Sequence, residues 1–258
     1  MRAKLSPVKR FGSIFPFLES GRQSRQIGRL VANYEFVKAL LTYSRFDEYV
    51  FSNSSLSNLA TFADLTRTWG VPEDRLARVR FVGYAGLPAV LRAQSFHVFH
   101  LGGWGWFMPG LHYLRARYAS NPWPITAVTH SLDGRDLVDH AVRLSVAGHA
   151  PYDAIFCTSR DGREAIRRLL DGGAAIARRA YQGHLEHLPL GIDDDLLDAA
   201  GDRAGCRARL KIAPDAAVLL VLGRISPFSK MDLAPLLRAF AREIVPRSPR
   251  PVVLLLAG

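Results

Sequence analysis

Short apolar runs of strand length alternate with amphipathic stretches of helix length along the whole chain. Strands are predicted over 13–18, 49–52, 78–82, 96–101, 125–130, 154–158, 187–190, 218–223 and 252–257. Helices are predicted over 24–44, 56–69, 87–93, 109–118, 135–147, 160–179, 202–210 and 233–244. Such alternation marks a parallel sheet covered by helices, and so the α/β class.

The last predicted helix can be followed residue by residue. Leu233, Leu236, Leu237, Phe240 and Ile244 form one apolar stripe at helical spacing. Asp232 is a suitable N-cap, which places Pro235 in the first turn, where a missing N–H is harmless. The helix N-terminus then faces the loop that carries Arg224 and Lys230.

A boundary is predicted in "LPLGIDDDLLDAA", which passes from a strand through Gly191 into an acidic connection. It divides the chain into 1–190 and 191–258, each expected to be Rossmann-like. The second segment falls short of the roughly 100 residues that a doubly wound domain usually needs. Its final strand also has no following helix, so an incomplete second domain is expected. No repeat of solenoid period and no low-complexity tract occurs.

Composition narrows the partners. The net charge of +11 and pI near 10.2 favour acidic ligands, whether phosphorylated substrates, nucleic acid or an anionic membrane face. The cations, mostly Arg, are dispersed without the dense tract of a nucleic-acid arm, so nucleic acid is not expected as a partner. No apolar run is long enough to span a bilayer and no secretory leader is evident, so a cytoplasmic protein is expected. Cys157 and Cys206 lie far apart and read as free thiols.

Four stretches are candidates for chemistry. In "LGRISPFSKMDLAPLLRAF", Gly223 and Arg224 end a strand, and Lys230 precedes a helix. The carboxyl end of a parallel strand is where such folds bind ligands, and two cations with helix N–H groups suit a diphosphate. Solvated loop charges are the plain alternative. In "LGGWGWFMPG", from Leu101, glycines could approach an acceptor or a phosphate, and a Trp-rich packing turn is the competing reading. His97 with His100, and His184 with His187, are three apart on expected strands, so each pair points to opposite faces and no metal site is expected. Met108 stands where a dinucleotide fingerprint would need its third glycine, which argues against an NAD enzyme.

Several of these segments, in order, resemble the retaining GT-B glycosyltransferases of the group 1, family 4 class. "LGRISPFSKMDLAPLLRAF" looks like that family's strand–loop–helix signature, "LPLGID" from Leu188 is similar to its interdomain segment, and "FCTSRDGREAIRRLL" from Phe156 is like the last strand and helix of its first domain. "AVTHSLDG" from Ala127 resembles a strand ending on a cleft-facing histidine, here His130. The resemblance implies two Rossmann-like domains closing over a cleft, with 1–190 on the acceptor side and 191–258 on the donor side. It implies transfer of a hexose-type sugar from a nucleotide-diphosphate sugar to a saccharide, lipid-linked or small-molecule acceptor. Gly223, Arg224 and Lys230 would bind the donor diphosphate, His130, Arg224 and Lys230 would be catalytic, and no metal or cofactor would be needed. A lipid-linked acceptor would bring peripheral membrane contact.

The chain also departs from the pattern. The family's first loop carries a glycine pair, whereas "FLESGRQSRQIGRL" offers Gly21 and then Gly28, with Arg22 and Arg25 as substitute anion contacts. The family's two glutamates would fall beyond Gly258, so this chain alone is expected to bind donor poorly. The alternative reading is therefore an inactive GT-B-like binding module or partner subunit.

Overall fold

In the computed structural model, which describes residues 8–14, 28–53, 62, 66–132, 134, 136–191, 201–223, 225–226 and 231–258, the chain forms two compact units, Met1–Leu190 and Gly191–Gly258. The first unit contains β1 (Arg10–Ile14), α1 (Gly28–Tyr43), β2 (Glu48–Asn53), α2 (Glu73–Leu76), β3 (Val79–Gly83), α3 (Leu87–Ala93), β4 (Val98–Leu101) and α4 (Met108–Tyr118). It continues with β5 (Ile125–Val128), α5 (Leu137–Val146), β6 (Ala154–Cys157), α6 (Arg160–Ala177) and β7 (His184–His187). These strands make a fully parallel seven-stranded sheet in the order β3-β2-β1-β4-β5-β6-β7.

The sheet is buried on both faces because alternate residues of one strand feed two cores. Phe11, Tyr49 and Phe51 pack with Val37 and Leu41 of α1 on one side. Ile14 and Val50 join Phe99, Leu101, Trp123 and Ile125 on the other. Strands covered on both sides read as continuous apolar runs, which is why periodicity marks them clearly. Helix α6 starts with Ser159 accepting from Gly162 N–H at 2.9 Å and stops at Arg178, whose φ of 54° is left-handed.

The amino end of this sheet holds a buried ion pair. Arg115 Nη1 and Nη2 donate to Asp153 Oδ1 and Oδ2 at 2.6 and 2.7 Å, and also to the carbonyls of Trp123 and Gly148. Backbone N–H groups of Ile125 and Ala150 also donate to the carboxylate, and His112 Nδ1 lies 3.3 Å from Asp153 Oδ2. The network ties α4 to the segments entering β5 and β6.

The second unit contains α7 (Arg203–Arg209), β8 (Ala217–Leu222), α8 (Ala234–Ala239) and β9 (Val252–Ala257), with β8 and β9 paired in parallel. Asp202 caps α7 by accepting from Ala204 and Gly205. Beyond α8 the helix widens into a π turn, Phe240–Ile244, before a last turn, Val245–Arg247. Pro246 supplies the cause, because it has no N–H for the carbonyl four residues back and its ring crowds that carbonyl. Leu233, Leu236, Phe240 and Ile244 are half-buried, whereas Leu237 is exposed.

Several expectations are corrected. The strand expected over 187–190 lies at His184–His187, where its backbone pairs with β6 in register from Ala154 to Cys157. Helix α8 begins at Ala234 with Leu233 at the cap position, and Asp232 serves it by accepting from Ala234 N–H at 3.0 Å. The short α2 was not expected, its run being only four residues. Most of the helix expected over 56–69, the start of that over 24–44 and the end of the strand over 13–18 lie outside the described residues.

Asp153→Ala leaves Arg115 charged and buried without its partner, and should cost about 3–5 kcal/mol of stability in urea unfolding. A loss below about 1 kcal/mol would contradict the role given to this pair.

Candidate functional site

Because the seven strands are parallel, every strand-to-helix loop leaves the same end of the sheet. The order reverses between β1 and β4, whose following connections diverge, and this switch point is where such sheets open a ligand crevice. His130 follows β5, the neighbour of β4, and stands at this end.

Its side chain is held by two other elements. His130 Nε2 lies 3.0 Å from the Gly102 carbonyl and 3.2 Å from Asn33 Oδ1, while Asn33 Nδ2 donates to the same carbonyl at 3.1 Å. Both neighbours of Nε2 are acceptors, so this nitrogen carries the proton and Nδ1 keeps the lone pair. Burial holds the His130 pKa below its ordinary 6.5, the Gly102 hydrogen bond works in the opposite direction, and Arg29 lowers it further. The ring is therefore neutral at pH 7 and fixed in direction. His100 accompanies it on β4, with Nδ1 2.9 Å from Thr126 Oγ1, and burial followed by repulsion from His130 pushes its pKa down to about 4.

Asn33 was not singled out in the sequence, although a signal existed. It shares the buried stripe of α1 with Val37 and Leu41, four and eight residues on, where a polar side chain needs partners. Gly102 also has a reason to be glycine, since a Cβ there would stand 2.7 Å from Asn33 Nδ2.

The turn after Gly102 divides its tryptophans. Trp104 is buried in the core and fits the packing reading, whereas Trp106 is 72% exposed. Both rings lie edge-on to His140 of α5, with centroids 6.1 and 5.2 Å away.

In the second unit, Gly223 follows β8 with φ of 145°, a conformation that side-chain-bearing residues rarely adopt, and its N–H donates to Ala257 O at 2.8 Å. That accounts for glycine before Arg224. Arg224 and Lys230 themselves lie outside the described residues, as do Gly21, Arg22 and Arg25. Gly28 is the first residue of α1. His97 is exposed and His100 buried, while His184 is exposed and His187 half-buried, so neither pair converges. Among the described residues no group of three or more metal-ligating side chains gathers. No helix there is long and apolar enough to cross a membrane.

Known proteins supply an independent comparison. No protein-family model matches the chain. The D-inositol 3-phosphate glycosyltransferase of Geodermatophilus obscurus is 43% identical over 81 residues, which are 31% of this chain and 16% of that protein. The crystal structure of Anabaena HepE in complex with UDP and glucose matches with a TM-score of 0.54 at 13% identity, over 97% of this chain and 62% of that one. This chain thus spans less than two thirds of either protein's length. The likeness to HepE bears out the α/β, GT-B-type fold.

Buried His100 and half-buried His130 each bind a proton more readily unfolded than folded, so their contribution to stability should fall as pH drops from 6.5 towards 4. His100→Asn should flatten that slope by up to about 1.4 kcal/mol per pH unit, read from urea midpoints across the window. An unchanged slope would show that His100 is not held neutral.

Proposed function

We propose that the chain is part of a glycosyltransferase that moves a hexose-type sugar from a nucleotide-diphosphate donor to a hydroxyl-bearing acceptor, with retention of configuration and without a metal. The observation that carries this reading is His130, fixed by Asn33 and Gly102 at the switch point of the sheet. The short but close match to a glycosyltransferase and the fold shared with HepE, solved with UDP and glucose, support it.

The division of labour follows from charge. As the bond from the anomeric carbon to the diphosphate breaks, negative charge grows on the departing oxygen. Arg224 and Lys230 neutralise it, which is electrostatic transition-state stabilisation. Gly223, which precedes Arg224 in the chain, has φ of 145°, a conformation open to glycine because it carries no side chain. His130 faces the sugar. With its Nε2 proton committed to Gly102 and Asn33, it offers a neutral ring whose remaining nitrogen accepts a hydrogen bond. The acceptor hydroxyl attacks from the face that the diphosphate leaves and passes its proton to the departing diphosphate oxygen, so the new bond to the anomeric carbon replaces the broken one with the old configuration. No side chain serves as nucleophile.

The test is release of UDP from UDP-glucose by the purified protein, in the presence of candidate acceptors. Arg224→Ala and Lys230→Ala should each reduce turnover by roughly a hundredfold or more, the scale of losing one charge-stabilising donor. Near-normal turnover in both would remove these residues from the mechanism. Tight UDP binding with no turnover for any donor would favour the inactive binding module.

A further inference from the structure

We infer that the exposed face of Trp106 is a stacking platform for a pyranose ring, which makes the acceptor of the proposed reaction a saccharide. This inference rests on the transferase reading and adds the acceptor's chemical class to it.

Three observations bear on one loop. First, Trp106 leaves 72% of its surface open, although it follows by four residues the Gly102 carbonyl that His130 holds. A large ring left uncovered four residues along the chain from a polar bracket suits a ligand with both an apolar face and hydroxyl groups. A pyranose has both: its axial C–H bonds carry slight positive charge and complement the negative face of the indole, while its hydroxyls reach polar atoms nearby.

Second, the ring is braced. His140 stands edge-on to it at 5.2 Å, and a Cβ on Gly105 would come within 2.5 Å of His140 Nδ1, so the absence of a side chain at 105 lets the turn seat against the imidazole. Ordering in advance spares a binding event that cost.

Third, Gly103 has neither reason that usually explains a glycine. It is not in a left-handed conformation, and among the described residues a Cβ there would meet nothing within 4 Å. Bare backbone thus faces open space between Gly102 and the Trp106 turn, where a sugar ring can approach it closely.

A membrane anchor is a poorer fit to the same surface. Phe107 next to Trp106 is only 36% exposed and Trp104 is buried, so the turn presents one broad ring instead of a cluster of inserting side chains.

The experiment labels the indole nitrogens with nitrogen-15 and follows the four tryptophan side-chain resonances of the intact chain. The Trp106 signal is assigned by its loss in Trp106→Phe. The probes are methyl α-glucopyranoside, methyl α-mannopyranoside, methyl α-galactopyranoside and methyl N-acetyl-β-glucosaminide, to about 100 mM, the range of weak single-ring contacts. At least one should shift the Trp106 resonance saturably. Gly103→Leu, which fills the open space, should abolish that shift with an unchanged melting temperature. A Trp106 signal unmoved by every pyranoside, or a shift that survives Gly103→Leu, would overturn the proposal. So would movement only with phosphatidylglycerol vesicles, which would make the turn a membrane contact. UDP release without any pyranoside shift would keep the transferase reading and remove the platform, and a shift without UDP release would do the reverse.

Discussion

The common direction of seven strands is the constraint on which the first unit depends. Parallel strands cannot be joined by tight turns, so each must be followed by a crossover that returns the chain to the starting end. The consequence is a sheet with two unlike ends. The starting end is closed by the buried Arg115–Asp153 pair, whose carboxylate also holds the backbone of Ile125 and Ala150. The other end is formed by the carboxyl ends of the strands, and there Asn33 of α1, Gly102 after β4 and His130 after β5 meet.

Those two polar clusters solve the same physical problem in opposite ways. At the starting end a full charge is buried and every acceptor on the carboxylate is filled. At the loop end the imidazoles of His100 and His130 are kept neutral by burial, so little charge has to be compensated there. A neutral ring with one nitrogen committed and one open is suited to orient a sugar, whose hydroxyls donate and accept hydrogen bonds. Anion binding is the task proposed for Arg224 and Lys230.

Much of the fold was legible because strands buried on both faces announce themselves. The apolar runs at 125–128 and 154–157 needed no other signal, and the half-buried run at 252–257 stood out by its length of unbroken apolar residues. The misplaced β7 shows the limit: its alternately exposed and half-buried "HLEH" is an edge strand, and the more apolar residues after it drew the prediction. For the site, His130 was legible only through its resemblance to a known strand end. Asn33 was hidden because its meaning depends on Gly102, which is distant in sequence and near only once α1 packs against the loop after β4. The difference between Trp104 and Trp106 could not be read from "GWGW" either, since Trp104 joins a core built from residues distant in sequence.

The central claim is that this chain recognises the diphosphate of a nucleotide sugar. It is tested most directly by calorimetric titration of the protein with UDP and GDP in parallel with uridine and guanosine. The account predicts that one diphosphate binds at least about tenfold more tightly than its nucleoside, a difference of about 1.4 kcal/mol, and that Arg224→Ala removes the advantage. Equal affinity for nucleoside and diphosphate, or an advantage that survives Arg224→Ala and Lys230→Ala together, would contradict it.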